Sequence, residues 1–290
     1  MENIWSTYIQ GAHMLYETRS LRFHNRLRQQ YTDAFALNGL GTLLEIGAGP
    51  GALAQSLHQW YPHMDVWGID RDAAFIAFAQ AHVPGVHFQQ ADATALPFSD
   101  NAFDVTISNT VQEHIAPDAF FGQQYRVLRP GGICLILSTR RSIVIPAECI
   151  AYSSDFEKAM IAKTQPYYEA MDSRYGVGAY GLSEQSMPQV MMAHGFHDIQ
   201  THYVTVNLTP DNADVDDALA LRILEAERIG RLESIDSFPD IAQHVLTDAE
   251  REAWKAEING KYDERIRLYH DGVACWDMNM AVIMILRGVK

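Results

Sequence analysis

The sequence predicts an α/β fold: a doubly wound sheet of seven strands, helices on both faces, and a helical cap made from the N-terminus and two insertions. Three observations predict it. From Gly41 onward, short apolar runs alternate with stretches of helical length. The first run passes directly into a glycine-rich turn, Gly47-Ala48-Gly49-Pro50-Gly51. Acids or an amide close the first four runs, at Glu45, Asp70, Asp92 and Ser108-Asn109.

Ahead of the sheet, Tyr8, Ala12 and Leu15 fall on one helical face, and Leu21, Leu27, Tyr31 and Phe35 on a second. The alternation then predicts strand 42–46, helix 52–60, strand 65–69, helix 73–81 and strand 86–89, with Asp72 as N-cap of the second helix and Pro84-Gly85 as its stop. Strand 103–108, a helix over 119–128 and a turn at Arg129-Pro130-Gly131-Gly132 lead to strand 133–138. Its unbroken run Ile133-Cys134-Leu135-Ile136-Leu137 fits a strand covered on both faces. Residues 140–181 show no clean period and many aromatics and glycines, the marks of an irregular lid or binding segment. A helix over 183–194 stops at Gly195, and a strand covers 197–208. The acidic stretch 210–270 reads as helices, one opened by the capping box Thr247-Asp248-Ala249-Glu250 and closed near Gly260. The last strand is 280–286. The expected division is an N-terminal helical lid (1–40), a ligand-binding core (41–139), a cap insertion (140–182), a core helix and strand (183–209), an acidic helical insertion (210–275) and a final core strand (276–290).

Composition narrows the function classes. With 48% hydrophobic residues, the 290-residue chain has enough apolar mass for a real core. It has no apolar run of membrane-spanning length, and Met1-Glu2-Asn3-Ile4-Trp5 lacks the basic-then-apolar plan of a signal peptide, so a cytoplasmic protein without a membrane partner is expected. The net charge of −14 argues against nucleic acid as a partner, since such binding rests on clustered Lys and Arg. From Asp211 to Glu264, fifteen acids oppose six bases, as on a solvated helical face. Cys134, Cys149 and Cys275 are odd in number and widely spaced, and read as small buried side chains in a reducing compartment. His194 and His197 are the only close histidine pair and straddle a helix stop, so no metal site is expected.

In an open α/β sheet, ligands bind beyond the carboxyl ends of the strands, which is where the four polar strand ends stand. Asp70 can accept both vicinal hydroxyls of a ribose, at about the interval after the glycines where dinucleotide folds place such an acid. The dinucleotide glycine pattern itself is broken, because Ala52 holds its third position and the third glycine falls at Gly51. Glu45 would also repel a pyrophosphate and suits a cationic or zwitterionic ligand.

On these residues the chain resembles the class I S-adenosylmethionine-dependent methyltransferases, in particular the group that includes the ubiquinone and menaquinone biosynthesis enzymes. The resemblance is carried by Leu44 to Gly51, Gly68-Ile69-Asp70, Ala91 to Phe98, Phe103-Asp104-Val105, Glu113-His114-Ile115 and Arg126 to Gly132, and spans about 41–138. It implies a Rossmann-like methyltransferase fold whose sheet is mostly parallel, with the last strand antiparallel and inserted beside the fifth. It also implies S-adenosylmethionine as cofactor and S-adenosylhomocysteine as product. Glu45, Gly47, Ala48, Gly49 and Gly51 would then hold the aminoacid end, Asp70 the ribose hydroxyls, Asp92 with the Ala93 backbone the adenine edge, and Asn109 the methionine side, with Arg71 a further cofactor-binding residue.

Methyl transfer from a sulfonium is an in-line displacement, so positioning and exclusion of water come first. Where the acceptor must lose a proton, His114 is the candidate base. Tyr8, Tyr16, Arg19 and Arg22 are candidates to close over the cofactor. Arg174, Tyr175 and Tyr180, among Gly176, Gly178 and Gly181, suggest a mobile substrate loop. Asn109-Thr110-Val111-Gln112 is not the Asn-Pro-Pro-Tyr sequence of amide and nucleobase nitrogen methylation. The expected partner is a small-molecule acceptor with a lean to an apolar or aromatic one, a protein acceptor being second. A non-catalytic module sensing the cofactor or its product, and a nicotinamide-dependent oxidoreductase, are the alternatives.

Overall fold

The computed structural model describes residues 5–145, 153–236, 245–277 and 279–290, with side chains for all of these but 140–145. Its centre is a seven-stranded sheet in the order β3-β2-β1-β4-β5-β7-β6. The strands are β1 Thr42–Ile46, β2 Asp65–Asp70, β3 His87–Gln90, β4 Phe103–Asn109, β5 Leu128–Ile145, β6 His197–Asn207 and β7 Met280–Val289. β1 to β5 pair in parallel, while β7 runs antiparallel between β5 and β6. This is the mostly parallel sheet with a late antiparallel insertion that the family resemblance implies.

Side-chain alternation along the strands feeds two separate cores, as a doubly wound sheet requires. Leu43, Val105, Leu135, Leu137 and Ile285 face one way and meet Leu21, Tyr31, Phe35, Leu57 and Ile223. These come from α1 Ala12–Arg22, α2 Arg28–Phe35, α3 Ala52–Trp60 and α8 Asp217–Asp236. Leu44, Ile46, Cys134, Ile136 and Leu286 face the other way, onto Phe120, Phe121, Met187 and Met191 of α5 Pro117–Val127 and α7 Ser186–Ala193. The buried residues of the central strands therefore lie against apolar atoms whichever way they point, and the continuous run in β5 is explained.

Local signals place the helices. Asp72 caps α4 Ala73–His82 by accepting the N–H groups of Ala74 at 3.0 Å and Phe75 at 3.4 Å. Pro117 starts α5 at the position where a missing N–H costs nothing. Thr247 and Glu250 form the expected reciprocal capping box at the start of α9 Asp248–His270.

Two segments differ from their expected form. The 140–181 stretch is not irregular throughout: β5 continues to Ile145, and α6 Asp155–Tyr175 follows, capped by Ser154, whose Oγ accepts the Glu157 N–H at 3.0 Å. Pro166 inside α6 and its mixed polar and aromatic faces hide the helical period. Residues 146–152 of that insertion, with Cys149, lie outside the described residues. Likewise α9 does not close near Gly260 but runs on to His270; that glycine has open space around its α-carbon, so it interrupts no packing. Met160 of α6, Ile235 of α8 and Trp254, Ile258 and Tyr262 of α9 form a third, smaller core. Glu157, buried beside it, receives Lys261 and, at 3.3 Å, Arg231. Among the described residues no helix is long and apolar enough to cross a membrane.

Candidate active site

The chain winds outward from β1 through β2 to β3, then returns to lay β4 on the other side of β1. The connections leaving β1 and β4 diverge, and a crevice opens beyond their carboxyl ends. A cavity of about 400 Å³ occupies it.

Its floor is the glycine turn. Gly47 has φ +70, and a Cβ there would stand 2.3 Å from Val111 Cγ2, so only glycine permits this close pass between the turns after β1 and β4. Gly51 also has a positive φ, +90, but faces away from the cavity; a Cβ on it would press on Phe88, Ala79 and Val83. Its place is therefore in the packing of the turn, not among the lining residues where the resemblance set it.

The four polar strand ends converge. Glu45 is buried at the end of β1 beside the N-terminus of α3, where the Ala54 N–H reaches its carboxylate. Its Oε2 is buried with no hydrogen-bond partner. Burial first, then the neighbouring Asp70 charge, push its pKa well above the carboxylate range, with Ala54 offsetting part of this. Asp70 accepts the Gly49 N–H on Oδ2 and the Asp72 N–H on Oδ1, both at 2.9 Å, and burial raises its pKa as well. Asp92 uses Oδ1 to accept the N–H and hydroxyl of Thr94 at 2.8 and 2.7 Å. At the end of β4, Asn109 Oδ1 is a second buried acceptor without a partner. Thr110 follows it with φ 55, a left-handed conformation that a β-branched residue rarely takes.

Glu45, Gly47, Ala48, Gly49, Asp70, Arg71, Asp92, Ala93, Asn109, His114, Arg19 and Tyr180 all line the cavity. Tyr8, Tyr16, Arg22, Arg174 and Tyr175 do not. The Tyr16 hydroxyl donates to Gln55 Oε1 at 2.8 Å and its ring packs on Phe78, fixing α1 to α3 and α4. Tyr175 stacks on Tyr8 at 5.5 Å with Arg174 over its outer face. The expected mobile loop is a tied turn: Tyr180 N–H donates to Glu113 O, and Gln112 Nε2 to Tyr180 O, each at 2.9 Å.

Trp5 is a lining residue that the sequence reading missed. Its ring lies edge-on to His114 at 4.6 Å, with the Arg71 guanidinium 5.9 Å from its centroid, so it spans the mouth from the β2 side to the β4 side. Ser6 pins this segment by donating from N–H and Oγ to Asp72, both at 2.9 Å. An aromatic so near the N-terminus has no periodic partner, and no sequence signal singles it out.

Residues 44–136 match the family model described as a methyltransferase domain. A ubiquinone/menaquinone biosynthesis C-methyltransferase of Desulfotalea psychrophila is 33% identical over 117 residues, which cover 39% of this chain and 46% of that protein. A demethylmenaquinone methyltransferase of Thermus thermophilus is 36% identical over 117 residues, covering 39% of this chain and 53% of that one. The chain thus spans about half the length of the curated relatives it matches. Among solved structures, phosphoethanolamine N-methyltransferase 2 of Haemonchus contortus, in complex with S-adenosyl-L-methionine, superposes with a TM-score of 0.51 at 19% identity over 99% of this chain and 59% of that one, a likeness of fold. Residues 44–136 are thus similar to a methyltransferase domain, and in sequence to the ubiquinone and menaquinone biosynthesis group.

Proposed function

We propose that the protein is a methyltransferase that uses S-adenosylmethionine and acts on a small-molecule acceptor, releasing S-adenosylhomocysteine. The observation that carries this is the pair of buried, partnerless acceptors, Glu45 Oε2 and Asn109 Oδ1, on one cavity wall. Buried polar groups are normally satisfied, so two such acceptors together call for a ligand rich in donors. An aminoacid ammonium meets that requirement, and a pyrophosphate, an acceptor-only anion beside Glu45 and Asp70, violates it. The nicotinamide alternative is thereby disfavoured on charge.

The cofactor, when bound, supplies a methyl group already activated on a sulfonium. Glu45 and Asn109 would hold its amino group. Asp70, whose oxygens are each oriented by one backbone N–H, would accept the ribose hydroxyls on its remaining lone pairs. Asp92 and the Ala93 backbone would take the adenine edge, and Arg19 the carboxylate. Trp5, which lines the cavity, would shield the reacting centre from water. His114 positions rather than abstracts, because its Nδ1 accepts the Gly178 N–H at 2.9 Å.

Isothermal titration tests this reading. S-adenosylmethionine and S-adenosylhomocysteine bind and nicotinamide dinucleotides do not. Asp70→Ala weakens binding by about 1–3 kcal/mol, the cost of removing a charged hydrogen-bond acceptor. Unchanged affinity in that variant refutes the ribose assignment.

A further inference from the structure

Arg22 carries a positive charge that no acid among the described residues balances. It ends α1, one turn beyond Arg19, and its Nη1 donates to Thr139 Oγ1 at 3.3 Å. The side chain is partly buried, and burial lowers its pKa, as for a cation drawn from water without a carboxylate beside it. A desolvated charge of this kind is costly unless a partner arrives.

Thr139 is half-buried, two residues past the last pairing of β5 with β4. The last pair between β4 and β5 is Asn109 with Leu137, and the Thr110 N–H donates to Leu137 O at 2.8 Å. Immediately beyond Thr139 the register with β7 breaks, so that residues 140–143 stand opposite the single residue Val282. Bulges of this kind gather next to active sites. Charge is also distributed unevenly along this edge of the sheet: Glu45, Asp70 and Asp92 line the donor cavity, while Arg22, outside that lining, reaches Thr139 just past the pairing of β5 with β4.

Resting on the methyltransferase reading, we propose that Arg22 and Thr139 bind an oxyanion of the methyl acceptor, which is therefore a small molecule carrying a carboxylate or a phosphate monoester. A guanidinium fork beside a hydroxyl matches either group. The anion serves recognition and sets the acceptor against the donor cavity.

The test is isothermal titration of the S-adenosylhomocysteine-saturated protein with benzoate, phenyl phosphate and neutral benzamide. At least one of the anions binds about tenfold or more tightly than benzamide, as charge-assisted bonds to a guanidinium require, and the tighter of the two identifies the oxyanion. Arg22→Met abolishes the preference, Arg22→Lys keeps part of it, and Thr139→Val weakens the anion about threefold while leaving benzamide unchanged. If Arg22→Met fails to fold, the other two variants carry the comparison. Equal binding of all three probes, no binding of either anion, or wild-type anion affinity in the folded Arg22 variants overturns the proposal. Binding of S-adenosylhomocysteine is measured first. Its absence sinks the methyltransferase reading, whereas its presence without anion preference sinks only the acceptor assignment.

Discussion

Gly178 donates its backbone N–H to Nδ1 of His114 at 2.9 Å, tying the turn after α6 to the turn after β4. The bond fixes the tautomer: with Nδ1 accepting, the proton of the neutral ring sits on Nε2.

His114→Gln therefore lowers kcat by less than about tenfold, where loss of a general base costs about a hundredfold or more. Steady-state rates of the variant decide between the two roles. A loss of the larger size, recovered as pH rises, would restore His114 as a base.

Glu45 couples ligand binding to pH. Its pKa in the folded chain is raised, so the native state holds more protons than the unfolded one, and stability falls as pH rises from the ordinary carboxylate range through the raised value. Glu45→Gln, measured by denaturant unfolding at neutral pH without ligand, is more stable than wild type by about 1–3 kcal/mol, the cost of an unsatisfied buried charge. The same variant binds S-adenosylmethionine more weakly. In the wild type, affinity falls as pH drops through the raised pKa, because a proton must leave Glu45 for the ammonium to be paired. A variant both less stable and equally tight contradicts this assignment.

Trp5 sets how long a ligand stays. Trp5→Ala removes the ring between Arg71 and His114, and stopped-flow displacement of S-adenosylhomocysteine accelerates about three- to tenfold, in line with the worth of one aromatic edge and one cation–π contact. Trp5→Phe recovers most of the effect. An unchanged dissociation rate removes Trp5 from the mouth.

At the opposite end of the sheet, Asp104 joins β4 to β1 by accepting the N–H groups of Gly41 and Thr42, both at 2.9 Å, and it pairs with Arg129 at 2.5 Å. Burial raises its pKa, but the Arg129 hydrogen bond and those from Gly41 and Thr42 outweigh this and hold it below the ordinary value. Its contribution is present above the unfolded-state pKa and lost as pH falls through the depressed one. Asp104→Ala costs about 1–3 kcal/mol at neutral pH. Unfolding curves of variant and wild type converge under acid, and a gap that persists there contradicts the assignment.

The sheet was legible because each parallel strand is an uninterrupted apolar run that ends in a polar residue, and both features follow from burial on two faces and a ligand site at one edge. Strand and helix limits from Thr42 to Trp60 match the structure, where glycine and apolar signals are dense. α6 was hidden by Pro166, and the end of α9 by Gly260, since each breaks helical propensity locally while packing and capping by distant residues sustain the helix. In the site, strand-end positions were readable from topology alone. Tyr16, Arg174 and Tyr175 were not, because whether an aromatic or arginine faces a cavity or a neighbouring ring depends on helix placement. Trp5 escaped for the same reason.

A crystal structure with S-adenosylhomocysteine tests the central claim most directly. The account predicts its amino group within hydrogen-bond distance of Glu45 Oε2 and Asn109 Oδ1, and its ribose hydroxyls on Asp70. Ligand density elsewhere, or an empty crevice at saturating concentration, would contradict it.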